Sequence, residues 1–333
     1  LAAINESTFI STPEHQRSLK GIAMIKDIKG LHHVTSMASD ARQNNRFFTD
    51  TLGLRRVKQT VNFDDPSVYH LYYGDEIGSA GTVMTYFPFP NMMLGRPGVG
   101  EVGEIQFSVP KGSLKFWQDR FTAQGVDGLE LDTVFGANRL RFMGPDGDDL
   151  ALIESPEDAR TPWVADGIPE DAAIRGFAGA RFSLHDTSAT EELLGFMGYQ
   201  RAEKEGDVTR FIIPNGNGAD TIDLAALPKT PFARQGAGSV HHIAFAVDNR
   251  EKQLEVRKAL MDTGYQVTPV IDRDYFWAIY FRTPGGVLFE IATNEPGFNR
   301  DEDTAHLGEA LKLPTRYENY RDQIEANLAP LAA

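Results

Sequence analysis

Four stretches of the chain alternate apolar and polar residues in the manner of short β-strands: Leu31 to Met37, Gly103 to Val109, Ala178 to Leu184 and Val240 to Val247. Each gives way to helical spacing, over Asp40–Leu52, Leu114–Gln124, Thr190–Met197 and Arg250–Thr263. Each of these helices stops at a glycine, Gly53, Gly125, Gly198 or Gly264. Glycine suits the left-handed residue that closes a helix because it has no Cβ to clash. More strand-like sequence follows every one. The chain therefore reads as four copies of a β-α-β unit with further strands before the next copy. Two unit ends also match: Phe142-Met143-Gly144-Pro145-Asp146-Gly147 and Phe281-Arg282-Thr283-Pro284-Gly285-Gly286 each read as a hairpin turn. A repeat of roughly seventy residues is too long for a solenoid and suits a half-barrel module.

Alternation also sorts residues by face. Leu31, His33, Thr35 and Met37 share one side of the first strand, and Val240, His242, Ala244 and Ala246 one side of the fourth-unit strand. The bulkier side, with Ile243, Phe245 and Val247, is expected to pack under the helix, so the smaller side is free to line a cup. Leu288, Glu290 and Ala292 share a face of the last strand, and Phe276, Ala278 and Tyr280 a face of the strand before it. His241 falls on the side away from the cup, so it needs a bulge or a supporting position to reach the site.

Composition narrows the classes. The chain has 333 residues, 41% of them hydrophobic, enough for two domains. No apolar run reaches the ~18 residues of a membrane span. A net charge of −14 disfavours nucleic acid and anionic membranes as partners. There is no cysteine, which excludes disulfides, thiolate–zinc sites, iron–sulfur clusters and cysteine nucleophiles, and agrees with a cytoplasmic protein. Any metal must be held by His, Asp, Glu or water. Residues 1–27 read as an N-terminal extension without the apolar core of a signal peptide. The spans 28–155 and 176–298 read as two domains of two modules each, with a Pro- and Asp-rich boundary between them and a tail over 299–333.

Two histidine pairs stand in matching surroundings, Leu31-His32-His33-Val34-Thr35 and Val240-His241-His242-Ile243-Ala244. A carboxylate, Glu290, sits inside the apolar run Val287-Leu288-Phe289-Glu290-Ile291. A buried carboxylate is costly unless it is paired or metal-bound. Two imidazoles and a carboxylate form the protein ligand set of facial-triad iron(II) oxygenases. The equivalent strands of the second and third units offer Glu104 or Ile105, and Ala180 or Arg181, but no imidazole, so one metal per chain is expected. His70 reads as structural, and the acidic run Asp301-Glu302-Asp303 as a solvated turn.

From about Ile28 to Leu313 the sequence resembles the vicinal-oxygen-chelate superfamily, and within it the hydroquinone-type ring-cleaving dioxygenases. The likeness rests on both doublets and on Arg282-Thr283-Pro284-Gly285-Gly286-Val287-Leu288-Phe289-Glu290, with support from Tyr69-His70-Leu71-Tyr72-Tyr73. The resemblance implies an α+β fold of four βαβββ modules in two half-barrels. It implies one iron(II), with manganese(II) or another divalent metal as substitute, bound by His33, His242 and Glu290. His32, His241, Thr35, Arg273 and Tyr280 would line the pocket. His241, Tyr280, His32 and Arg273 would serve the chemistry, while Thr35, Arg273 and Tyr280 would hold substrate. The partners would be a small aromatic diol and O2, with a second copy of the chain left open. A catechol dioxygenase, a glyoxalase-like isomerase or lyase, and a non-catalytic binding protein remain alternatives.

Overall fold

The computed structural model describes residues 24–331, so most of the extension expected over 1–27 lies outside the described residues. The four modules are present, each strand–helix–three strands. The first holds β1 (Leu31–Ala38), α1 (Ala41–Arg46), β2 (Arg55–Val61), β3 (Tyr69–Gly74) and β4 (Val83–Pro88). The second holds β5 (Glu101–Val109), α2 (Leu114–Gln124), β6 (Glu130–Val134), β7 (Ala137–Met143) and β8 (Asp149–Glu154). The third holds β9 (Gly176–Leu184), α3 (Ser188–Phe196), β10 (Gln200–Glu205), β11 (Val208–Ile212) and β12 (Thr221–Ala226). The fourth holds β13 (Val240–Val247), α4 (Arg250–Asp262), β14 (Ile271–Asp272), β15 (Phe276–Arg282) and β16 (Leu288–Pro296). The glycines after the helices all have positive φ, from 68° at Gly53 to 96° at Gly264, as closure of the helix requires. Asp40 and Asn249 cap α1 and α4 by accepting from the backbone N–H groups of Gln43 and Lys252. No helix among the described residues is long and apolar enough to cross a membrane.

The strands form two curled eight-stranded sheets, in the orders β14-β15-β16-β13-β1-β4-β3-β2 and β10-β11-β12-β9-β5-β8-β7-β6. Each sheet joins one module from each half of the chain: the first with the fourth, the second with the third. The spans 28–155 and 176–298 thus give the order of modules along the chain and not the two sheets. The physical reason is the central antiparallel pairing: β1 bonds to β13, and β5 to β9, so each cup is closed by a strand from the other half. The outer faces of the sheets and the helices bury one large apolar core, where Phe182 of β9 meets Phe289 of β16 at 5.6 Å.

Both central pairings carry two β-bulges. On the first sheet Leu31 pairs with Phe245 but His33 with Ala244, so His32 is an extra residue; Thr35 pairs with His242 but Ser36 with Val240, so His241 is another. A bulge leaves its extra residue out of the ladder and re-aims the side chains around it. Leu31 and Val240 accordingly join the outer core instead of the cup side that simple alternation gives them. The second sheet repeats the device at Gly103 and Ala178.

After β16 the chain crosses the open ends of the first sheet as a strap. Phe298 packs into the cup lining, and the backbone carbonyls of Thr304 and Gly308 accept from Arg55 and Arg56 at 2.9 Å. The acidic run is more than a solvated turn: Asp303 and much of Asp301 face solvent, but Asp301 and Glu302 also have a buried partner. They hold the fully buried Lys58 ammonium of β2 at 2.6 and 2.5 Å, and Asp301 also accepts from the Tyr275 hydroxyl at 3.0 Å. The strap therefore ties the edge strand β2 to the segment leading into β15.

Candidate metal centre

The central strands of the first sheet bring one atom from each of three side chains together at the floor of its cup. His33 Nε2 lies 3.3 Å from His242 Nε2, and Glu290 Oε2 lies 3.4 and 2.9 Å from them. The cross-strand register explains the meeting: His33 stands opposite Ala244, and Ala244 opposite Glu290. All three residues are buried, and they are the one group among the described residues with a metal-binding set of donor atoms. Burial works to raise the Glu290 pKa, but positive charge shared with the two imidazoles outweighs it whenever they carry a proton, holding the carboxyl well below its usual range; a cation between the three groups would take that proton's place.

Hydrogen bonds assign the protons. His32 Nε2 faces the Thr293 carbonyl at 3.1 Å, and a carbonyl can only accept, so that nitrogen carries hydrogen. Burial, followed by the charge of His33, depresses the His32 pKa to about 3, so the ring is neutral and its Nδ1 is an acceptor. The His33 Nδ1–H must then donate to His32 Nδ1, 2.9 Å away, which leaves the His33 Nε2 lone pair facing the other two donors. The second doublet repeats the contact, with His241 Nδ1 2.8 Å from His242 Nδ1. Glu290 has no hydrogen-bond partner on either oxygen. Lone pairs converging in a buried space repel one another unless a cation sits between them, and this donor set fits a divalent metal of intermediate softness.

The two bulged histidines differ in their outer nitrogen. That of His32 is bonded to backbone, and the ring lies behind His33. His241 has no such cap and lines the cavity, its pKa lowered to about 3 by burial and then by His242. Of the two histidines expected to line the pocket, His241 lies on the cavity wall and His32 does not, because its bulge turns it towards Thr293. Thr35 is also absent from the lining, because its hydroxyl turns to Thr85 on the neighbouring strand at 2.9 Å. Thr85 meets His70 Nε2 at 2.8 Å, and Tyr72 meets His70 Nδ1 at 2.7 Å, so this polar chain returns to the cavity wall. His70 and Tyr72 both line the cup, which sequence reasoning missed; the signal was the alternation of Tyr-His-Leu-Tyr on β3, which puts both on one face.

Tyr280 and Arg273 both line the cavity. Tyr280 stands opposite Glu290, and its hydroxyl accepts from Arg273 Nε at 3.2 Å, with the guanidinium also over the ring at 5.5 Å. Arg273 makes a second contact to Asp64 across the cup at 3.3 Å. Burial pushes the Tyr280 pKa up despite Arg273, so its phenol keeps its proton at neutral pH. The cavity above this floor measures about 1110 Å³.

Residues 110–291 match the model of the Glyoxalase/Bleomycin resistance protein/Dioxygenase superfamily. The chain is 42% identical to "Putative ring-cleaving dioxygenase MhqO" of Bacillus subtilis over 92% of its own length and 98% of that protein. It is 34% identical to the chlorohydroquinone/hydroquinone 1,2-dioxygenase of Sphingobium indicum, over 89% of this chain and 95% of the relative. Among solved structures, a "putative dioxygenase" from Bacillus subtilis superposes with a TM-score of 0.89 at 42% identity, covering 92% of this chain and 98% of that one. Glyoxalase I from Zea mays shares the fold, with a TM-score of 0.59 at 13% identity over 80% of this chain and 93% of that one.

Proposed function

The chain belongs to the glyoxalase/bleomycin resistance protein/dioxygenase superfamily, and from that premise we propose that it is an iron(II)-dependent ring-cleaving dioxygenase inserting O2 into a substituted hydroquinone. The observation that carries this reading is the convergence of His33, His242 and Glu290 in a cavity wide enough for an aromatic diol. Three protein ligands leave about three positions for substrate and oxygen on an octahedral metal. A glyoxalase-like isomerase commonly uses four, and the group here has three. A sequestering protein needs no triad. Manganese(II) suits the same donor set as a substitute.

Bound iron(II) would hold diol and O2 side by side and pass electrons between them. The protein's own groups do the rest. His32 fixes the His33 ring so that its Nε2 lone pair faces inward, the usual task of a residue bonded to a ligating histidine. With the same polarity in the second doublet, His242 donates from Nδ1, and His241 presents an Nε2–H donor to the cavity. That donor can hydrogen-bond a reacting oxygen and favour negative charge on it. Arg273 is the cation beside the floor, and with the Tyr280 hydroxyl it favours a phenolate or developing anion there. A hydroquinone gives the metal only one of its oxygens, so the other must find partners in the wall; a catechol chelates and depends less on them.

The test combines metal analysis with oxygen uptake. Protein loaded anaerobically with iron(II) and then exposed to oxygen should consume O2 with methylhydroquinone, at a higher kcat/KM than with the matched catechol. A preference for catechols keeps the dioxygenase and overturns the substrate class. Metal binding with no oxygen uptake on either diol rejects the dioxygenase in favour of an isomerase or binding role.

A further inference from the structure

The cavity is larger than the reaction needs. Its volume, about 1110 Å³, lies above the ~300–1,000 Å³ typical of pockets that enclose drug-sized ligands, whereas a bare hydroquinone has eight heavy atoms. His33, Glu290 and Tyr280 stand opposite one another at the floor. Met37 lies four residues further along β1, on the order of 13 Å at the rise of a strand, and pairs directly with Phe87 of β4. Leu288 of β16 and the Phe89 and Met92 side chains of the following loop line the same cavity. The floor is polar; above it these apolar side chains form a collar, with the exposed Arg234 and Gln235 also on the lining. Arg282, which also reaches the lining, turns back to its own hairpin and donates to the Gly286 carbonyl at 2.8 Å.

The second cup shows that this architecture can fill such space with its own side chains, for Arg139, Arg141 and Arg181 crowd around Glu104 there. The site cup instead keeps an open apolar collar walled partly by methionines, whose unbranched side chains adapt to varied shapes. We propose that the collar of Met37, Phe87, Phe89, Met92 and Leu288 receives an extended apolar substituent on the hydroquinone, so that alkyl- or aryl-substituted hydroquinones are the preferred substrates. The proposal rests on the dioxygenase reading above and adds the substituent class to it.

A series of unsubstituted, methyl-, propyl- and hexylhydroquinone, followed by oxygen uptake on the iron-loaded enzyme, tests it. Burial of each methylene should raise kcat/KM roughly fourfold until the collar is full. A flat series, or one that falls after methyl, overturns the proposal. Met92→Trp and Phe89→Trp fill the collar and should lower the hexyl-to-unsubstituted ratio about tenfold, the worth of one to two methylenes. An unchanged ratio in both places the substituent elsewhere and also overturns it. If no diol consumes oxygen, the dioxygenase reading has failed by itself. The Kd of the iron-loaded protein for the same series, measured anaerobically by calorimetry, then decides: affinity rising with chain length keeps the collar, and affinity independent of length removes it.

Discussion

Aligned by their bulges, the concave faces of the two sheets correspond strand by strand. The place of His33 is taken by Glu104, that of His242 by Gly179 and that of Glu290 by Asp223. Arg139 and Arg141 stand where the site has His70 and Tyr72, and Arg210 where it has Tyr280. The second cup answers its buried carboxylates with side chains: Arg139 reaches Glu104 at 2.9 Å, Arg210 reaches Asp223 at 2.8 Å, and Gln106 donates to both acids. The site cup leaves the Glu290 oxygens without a hydrogen bond. Both faces solve the cost of a buried carboxylate, one with guanidinium groups and one with a set of donors that calls for a metal. The charge completing the second cup is covalently part of the chain. The charge completing the first must be acquired, and is therefore available for chemistry.

The sharpest way to break this contrast is to remove a ligand. His33→Ala, His242→Ala and Glu290→Ala should each lose the metal and essentially all turnover, as read by metal content per chain beside oxygen uptake. Full metal occupancy in all three would put the centre elsewhere. Next in size is His241→Ala, which keeps its metal but lowers kcat by roughly 10²–10³-fold, the range of a lost hydrogen-bond donor to a developing anion; unchanged turnover would return His241 to a structural role. In the second cup Glu104→Ala leaves Arg139 without its buried partner. Chemical denaturation should show a loss of about 3–5 kcal/mol, with metal content preserved. A loss of metal without a loss of stability would contradict the division of labour between the cups. The smallest effect is expected at His32→Ala. Its ring supports His33 without touching the cavity, so metal affinity should weaken by about 10–100-fold while kcat at saturating metal changes little. Titration with iron(II) under anaerobic conditions reads the difference.

Much of this was legible in the residues. Alternation and the helix-ending glycines gave the four modules, since both are local and depend on backbone geometry alone. The meeting of His33, His242 and Glu290 was legible because imidazole pairs and a carboxylate in an apolar run have few inexpensive alternatives. The joining of modules one and four was not, because strand partners distant in sequence leave no periodic mark on either strand. The bulges were hidden for a related reason: an extra residue shows only against a partner strand, and so Leu31 and Val240 were placed on the wrong side. Lys58 and the acids of the strap were missed because each looks like an ordinary surface charge until the chain folds back. The second cup did leave a trace, in the period-two charges Arg139 and Arg141 among the apolar Leu140 and Phe142, and Arg181 beside the buried Phe182.

The union of the outer modules around the inner pair also sets a timetable for synthesis. The second and third modules are neighbours in the chain, so their sheet can close while the fourth is still being made. His33 must wait for a partner 209 positions later, roughly 10–40 s at about 5–20 residues per second. During that interval the nascent polypeptide carries one of the three side chains of the candidate metal centre, too few to grip an ion. A metal could enter only after the final module emerges, when the sheet of the inner pair can already be assembled.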